Sequence, residues 1–268
     1  MNSCRVTFLL LAFIIATPCY AARCGGDFSS FIAKFSADAQ GAGISSSVTS
    51  AALSGLTEDP GVLAFDRRQR YTFNKTFEQY VSTRVGAVRI NGGRAMLQRH
   101  AALLSRIEQR FGVPRQILVA IWGLETDFGK GDMGRLPVIR TLATLAHDCR
   151  RSELFQGELI AALKIVQRGD LPLRDMIGAY AGEIGQTQFL PSSYIKYGID
   201  FDGDGRVDLR HSVADVLAST ANLLHTNGFS MGGSYQEGSA NFEAMHEWNH
   251  AVIYRKTIAY FADRLIGH

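Results

Sequence analysis

The stretch Ile117-Leu118-Val119-Ala120-Ile121-Trp122-Gly123-Leu124, followed by Glu125-Thr126-Asp127-Phe128-Gly129, decides how this chain folds. Gly112-Val113-Pro114 just before it reads as a stop and a restart, with Pro114 suited to the first turn of a helix. Over 117–124 that predicted helix is apolar on nearly every face. A helix with no polar side belongs at the centre of a domain. Outward from it, helical spacing recurs. Phe28, Phe31, Ile32 and Phe35 carry it within 27–63, where Ser/Gly-rich breaks follow. The segment 76–88 bears Tyr80, and 94–111 reads as one long amphipathic helix through Leu97, Leu103, Leu104 and Ile107. Two more helices are expected around 139–147 and 153–168. Strand candidates are few. The expected fold class is mainly α: one large helical domain with small insertions.

The bulk numbers fit that reading. The chain has 268 residues, 46% hydrophobic and 20% charged, enough for one sizeable core or a core plus a small lobe. A net charge of +3 is too mild and too dispersed for nucleic acid, and no nucleic-acid partner is expected. The densest basic stretches are only Arg67-Arg68-Gln69-Arg70 and Arg150-Arg151.

At the N-terminus, Arg5 precedes an apolar run from Val6 to Ala16, then Pro18 and the small residues Ala21 and Ala22. A positive start, a short apolar stretch and a small-residue exit form a secretory signal peptide, here 1–22, cleaved after Ala21 or Ala22. The run is too short for a membrane span, which needs about 20 residues. A lipidated Cys19 is disfavoured by the Ala16-Thr17-Pro18 approach. The expectation is a soluble protein exported to the periplasm, without stable membrane insertion. Cleavage removes Cys4 and Cys19 and leaves Cys24 and Cys149. In an oxidising compartment these two form one disulfide; the alternative is two unpaired thiols, one of them buried.

Glu125 leaves the core at the end of the apolar helix. Desolvation there penalises the charged form and holds a proton near neutral pH. A glycosidic oxygen needs such a proton, because a sugar alkoxide leaves poorly. The alternative is a helix-end carboxylate paired with an arginine. A second element is Ala179-Tyr180-Ala181-Gly182-Glu183-Ile184-Gly185-Gln186-Thr187-Gln188-Phe189-Leu190-Pro191-Ser192-Ser193-Tyr194. Its glycines let backbone approach a ligand, and its amides and rings suit sugar hydroxyls and faces. By itself it reads equally as a tight elbow between helices.

Together and in this order, the Gly-Leu-Glu-Thr-Asp-Phe-Gly stretch, the Ala-Gly-Glu-Ile-Gly-Gln-Thr-Gln-Phe-Leu-Pro-Ser-Ser-Tyr stretch and the Asp-rich loop after it resemble the lytic murein transglycosylase B family. The similarity runs from about Phe73 to Phe229 and weakly onward, the long motif being the specific one. The resemblance implies a catalytic region over 23–268 with a lysozyme-like helical core at about 95–230. It implies cleavage of the MurNAc–GlcNAc β-1,4 bond of peptidoglycan strands, with formation of a 1,6-anhydromuramyl end and no cofactor for catalysis. Glu125 would serve as both acid and base. The muramyl N-acetyl oxygen would supply the transient nucleophile. Tyr80, Gln188 and Asn249 fall on sugar-binding positions of that family, with Tyr254 a further candidate. There are two departures. Ala179 stands where some relatives carry serine, and Trp248 stands where tyrosine is usual, which also loosens the assignment of Asn249. A hydrolytic muramidase on the same scaffold is the alternative, with Glu183 or Asp127 activating water.

Two further motifs bear on metals. Asp200-Phe201-Asp202-Gly203-Asp204-Gly205-Arg206-Val207-Asp208 matches the opening of an EF-hand loop, with Asp200, Asp202 and Asp204 at positions one, three and five and Arg206 at seven. His211 stands at twelve, where a bidentate Glu is expected. The resemblance implies Asp215, from the following helix, as the substitute, giving a weak structural Ca2+ site; the alternative is a turn with a capping box from Ser212 to Asp215. His246-Glu247-Trp248-Asn249-His250 satisfies the zinc-protease pattern, and a helix over 241–265 would put both imidazoles on one face. No third ligand follows at a familiar spacing. The competing reading is two surface histidines.

Overall fold

The computed structural model describes residues 22–68 and 76–267. The expected leader, with Cys4 and Cys19, lies outside the described residues but for Ala22; so do Gln69 and Arg70 of the basic stretch and Phe73. Helix α7 (Arg115–Thr126) runs through the core. Ile117, Leu118, Val119, Ala120 and Ile121 on it have no exposed surface at all. Around α7 pack α5 (Ala87–Arg99), α6 (Ala101–Phe111), α11 (Val213–Thr226) and α13 (Val252–Ile266). Four helices thus satisfy the demand of one all-apolar segment for cover on every side.

A second group of helices flanks this core. It is built on α8 (Val138–His147) and α9 (Ser152–Arg168), with α1 (Phe28–Gly41), α2 (Ser46–Leu53) and α3 (Pro60–Arg68) against them. Phe31 and Phe35 of α1 are buried, as the spacing predicts. Short elements complete the order: α4 (Phe77–Arg84), the antiparallel pair β1 (Leu136–Pro137) and β2 (Ile177–Gly178), α10 (Pro191–Tyr197) and α12 (Ala240–Ala244). The fold is mainly α, and the buried side chains form one contiguous cluster. Among the described residues no helix is long and apolar enough to cross a membrane.

Three of the expected helices differ. The predicted helix over 94–111 is two, broken at His100, which closes α5 and opens α6. The break lets α5 pack on α7 and α13 while α6 turns along α11. Two helices in sequence can share one apolar period, so the spacing alone could not reveal it. The segment 76–88 stops at Arg84, and Ala87 already belongs to α5. The stretch 241–265 is not one helix either. It comprises α12, a 3-10 turn over Met245–Glu247, and α13 beginning at Val252.

The chain enters the fold through Cys24, which is disulfide-bonded to Cys149 in the turn between α8 and α9. Gly25 N donates to His147 O at 2.9 Å beside it. The bridge closes a sequence separation of 125 residues. Such a closure removes chain entropy mainly from the unfolded ensemble. Replacing both cysteines by serine is expected to cost about 2–5 kcal/mol of stability. Chemical denaturation of the two proteins measures it directly.

Candidate active site

The end of α7 is fixed from three directions. Trp122 Nε1 donates to Gln186 Oε1 at 2.9 Å, and Thr126 Oγ1 donates to Gln186 O at 2.5 Å. Gln186 in turn donates from its backbone N to Leu209 O and from Nε2 to Arg210 O, both at 2.9 Å. One glutamine therefore ties the core helix, the 179–194 motif and the acidic loop together. Asp127 and Phe128 both take left-handed backbone, with φ of 48° and 62°. Phe128 thereby folds back edge-on to Trp122, with ring centroids 5.8 Å apart. A Cβ on Gly123 would lie 2.7 Å from the Phe128 ring and 2.9 Å from Phe261, so only glycine lets both rings close on the helix.

Glu125 is held between these anchors at the wall of a cleft of about 330 Å³. Gln188, Phe189, Trp248, Asn249 and Glu183 also line it. The cleft side of Glu125 is open, while the rest of the carboxyl is surrounded by protein. Its Oε1 accepts from Tyr254 Oη at 2.5 Å and from Trp248 Nε1 at 3.3 Å. Burial raises its pKa; the two hydrogen bonds and the Arg84 charge pull it down, and the Glu183 charge adds to the rise. The balance stands at about 7. The last turn of α7 holds no basic residue, so the negative end of the helix dipole works in the same direction as burial. Among the described residues, Tyr254 and Trp248 hold this carboxyl, and not the arginine partner of the competing reading.

The other expected residues divide into two groups. Gln188, Trp248 and Asn249 face the cleft. Ile184 and Phe189 form a tight backbone bridge, and Gln188 between them takes a left-handed φ of 54°. Its Nε2 donates to Gly185 O at 2.8 Å, which fixes the side chain at the cleft wall. Gly185 is required there, since a Cβ would sit 2.1 Å from Leu209 O. Trp248 meets Phe189 at 5.4 Å and 73°. Asn249 Oδ1 accepts from Ala251 N at 2.9 Å, holding the loop before α13. Tyr80 and Tyr254, by contrast, are buried and do not line the cleft. Among the described residues the Tyr254 hydroxyl hydrogen-bonds Glu125 alone, and burial pushes its pKa well up, with the Glu125 charge adding to the rise, so it stays a donor. Tyr80 lies under the Arg84 guanidinium, 4.5 Å from ring centroid to carbon. Tyr254 thus donates to the carboxyl, while Tyr80 packs under Arg84, whose charge acts on it.

Of the two carboxylates considered for activating water, Glu183 lines the cleft and Asp127 does not. Burial raises the Glu183 pKa, against the Ala181 N–H bond at 2.9 Å that lowers it. Asp127 is half exposed and paired with Arg89 at 2.6 Å, which holds its pKa low. It closes the helix end. The motif reading passed over Arg84, which lies one helical turn beyond Tyr80, and that i,i+4 spacing was its only signal.

In the acidic loop, Asp200, Asp202 and Asp204 offer oxygens that all lie within 4.8 Å of one another. Arg206 folds back, Nε donating to Asp204 Oδ2 at 3.1 Å. Asp215 does not join the three. It is fully buried, accepting from Phe201 N at 2.8 Å and Asp208 N at 2.9 Å, and braces the loop on α11. His211 lies against Asp208 at 3.0 Å. The two histidines of the zinc-protease pattern sit on the 3-10 turn and the loop after it, not on one helix. Their nearest nitrogens are 3.0 Å apart. Among the described residues no third His, Cys, Asp or Glu converges on them.

The helical core thus presents to an open cleft a carboxyl whose pKa burial lifts to about 7. Residues 27–238 match the family model described as Transglycosylase SLT domain, and the chain belongs to that family. The membrane-bound lytic murein transglycosylase B of Escherichia coli (strain K12) is 38% identical over 145 residues, 53% of this chain. The aligned part is 39% of that relative's length. Among solved structures, SltB3 of Pseudomonas aeruginosa in complex with NAG-anhNAM-pentapeptide superposes with a TM-score of 0.84 at 31% identity, covering 91% of this chain and 80% of that one. The Escherichia coli lytic transglycosylase Slt35 in complex with bulgecin A shares the fold, with a TM-score of 0.79 at 23% identity, covering 92% and 96%.

The charge state of Glu125 sets a sign for stability. Its folded pKa near 7 exceeds the ordinary 4.5, so its favourable contribution is present below about 4.5 and lost as pH rises through 7. Glu125→Gln cannot ionise. Its melting temperature is expected to exceed wild type at about pH 8 and to approach it at about pH 5. Thermal scans across that range check the sign.

Proposed function

We propose that this chain is a peptidoglycan lytic transglycosylase that cuts the MurNAc–GlcNAc β-1,4 bond, with Glu125 as its acid and base. The observation that carries the reading is the pKa of about 7 on a carboxyl at the cleft wall. Near neutral pH such a group both holds a proton to give and, once ionised, can take one back. Membership of the family and the glycan fragments bound by the SltB3 neighbours support it.

The reaction then proceeds on this chain's own groups. Glu125 gives its proton to the bridging oxygen as the C1–O4 bond breaks. The muramyl N-acetyl oxygen shields C1 meanwhile. The C6 hydroxyl attacks C1, and its proton returns to Glu125. No water is consumed and no second carboxylate is demanded. Tyr254 and Trp248 donate to Oε1, which stabilises the carboxylate between the two transfers. Gln188 and Asn249 offer amides to sugar hydroxyls, and Trp248 a ring face. Tyr80 and Tyr254 are positioning residues in this scheme.

One observation favours a second reading, hydrolysis on the same scaffold: Glu183 lines the same cleft. Mass spectrometry of fragments released from purified sacculi separates the two. Anhydromuramyl ends mark transglycosylation, reducing ends hydrolysis. For Glu125→Gln, release is expected to fall by about 10²–10⁴-fold. Undiminished release from the folded variant overturns the assignment. Tyr254→Phe removes a donor that favours the ionised form, so the Glu125 pKa rises. The alkaline limb of its pH–rate profile is expected to move upward by about one pH unit.

The acidic loop fits a weak structural Ca2+ site: three carboxylates converge, and Slt35 has been solved in complex with calcium. With Asp215 engaged by backbone amides and His211 at the twelfth position, the donor set falls short of a full EF-hand. Asp200, Asp202 and Asp204 would hold the ion, with the carbonyl of Arg206, and it would brace the loop without taking part in the chemistry. The leader-like start and the Cys24–Cys149 bond support export to the periplasm with cleavage near residue 22.

A further inference from the structure

Glu183 lines the same cleft as Glu125, yet the steps proposed above give it nothing to do. Its backbone is fixed on both sides. Its carbonyl accepts from Ala179 N at 2.9 Å, and the next residue, Ile184, donates to Phe189 O at 2.8 Å. Its Oε2 accepts from Ala181 N at 2.9 Å, which sets the side chain within the turn. Among the described residues no side chain donates to this carboxyl and no cation pairs with it. Arg151, whose charge acts on it, is itself paired with Asp66. A carboxylate drawn out of water without a countercharge is costly. A cationic N–H donor entering the cleft would offset that cost.

The proposed reaction generates such a donor. Glu125 protonates the bridging oxygen as C1–O4 breaks, and the muramyl N-acetyl carbonyl oxygen bonds to C1. The oxazolinium ring so formed carries a positive charge shared with its N–H. The C6 oxygen then attacks C1, the bond from C1 to the acetyl oxygen breaks, and the C6 proton passes to the Glu125 carboxylate. The N–H keeps its proton throughout.

We propose that Glu183 is a second catalytic residue, whose carboxylate accepts the muramyl N-acetyl N–H and balances the charge of the oxazolinium ring. The role rests on the transglycosylase reading. The steps run without a second carboxylate, but one placed there lowers their barrier. Neutral amides such as Gln188 and Asn249 suffice for sugar hydroxyls, whereas an anion is suited to a charge that develops during the reaction. A contact that strengthens as charge appears stabilises the transition state more than the bound substrate. The two carboxyls divide the work. Burial raises the Glu183 pKa, but the Ala181 amide and the Arg151 charge oppose the rise, and the Glu183 charge in turn raises Glu125. The anion thus stands at 183 and the proton at 125. As a base for water Glu183 would take up a proton and leave reducing ends; in this role it takes none.

Glu183→Gln tests the assignment. Its amide oxygen can still accept from Ala181 N, so the turn is kept while the charge is lost. On soluble peptidoglycan strands kcat is expected to fall about 10–100-fold with KM little changed, the products still ending in anhydromuramyl rings. The alkaline limb of the pH–rate profile is expected to move down, since the charge that raises the Glu125 pKa is gone. The direct readout is calorimetric binding of a muramyl thiazoline, a stable mimic of the oxazolinium ring. Its affinity is expected to be at least about tenfold weaker in Glu183→Gln and in Glu183→Ala than in wild type. Melting curves establish that the variants fold. Thiazoline affinity unchanged in the folded variants overturns the role, whatever happens to kcat, and leaves the proposed function standing if wild type still forms anhydromuramyl ends. Reducing ends from wild type, lost in Glu183→Gln, mark a base for water and overturn both.

Discussion

The burial of helix α7 on every side is the constraint from which the site follows. A helix that must be enclosed has only its end available for polar chemistry, and Glu125 stands in its last turn. The enclosure does two things at once. It removes solvent from three sides of the carboxyl, and it fixes the backbone from which the carboxyl projects. Gln186 completes the arrangement by gripping Trp122 and Thr126 on the helix and the 209–210 backbone beyond it. Without that brace the motif loop and the core helix would be independent elements, and the cleft between them would have no set width.

The hydrogen bonds on Glu125 show how the balance is kept. Burial alone would drive the acid so far up that it could not give its proton readily. Tyr254 and Trp248, both reaching Oε1, bring it back to about 7. Both donors come from the C-terminal part of the chain, from α13 and the loop before it. The core helix supplies the acid, and a segment more than a hundred residues later sets its strength.

Much of this was written in local sequence. The all-apolar run over 117–124 announced a central helix because nothing in it could face water. The Gly-rich motif announced close approach, and Gly185 and Gly123 each prove irreplaceable by a side chain. What stayed hidden depended on partners distant in sequence. The break at His100 could not be read, because α5 and α6 keep one apolar rhythm while packing on different helices. Asp215 was expected as a ligand from the resemblance to related loops; that its oxygens accept from two backbone amides brought to it by the loop was not legible. Tyr254 looked like a sugar contact by resemblance, and only the fold shows that it ends on the acid. Asp127 and Glu183 were equivalent on paper; a salt bridge to Arg89 sends one outward, while the other lines the cleft.

The central claim concerns one proton. A direct reading is the side-chain carboxyl 13C titration of Glu125 in the free protein, assigned by the signal lost in Glu125→Gln. An inflection near 7 is expected, well clear of the ordinary glutamate range. An inflection near 4.5 would mean that the enclosed helix end does not hold its acid protonated, and the account would fail there.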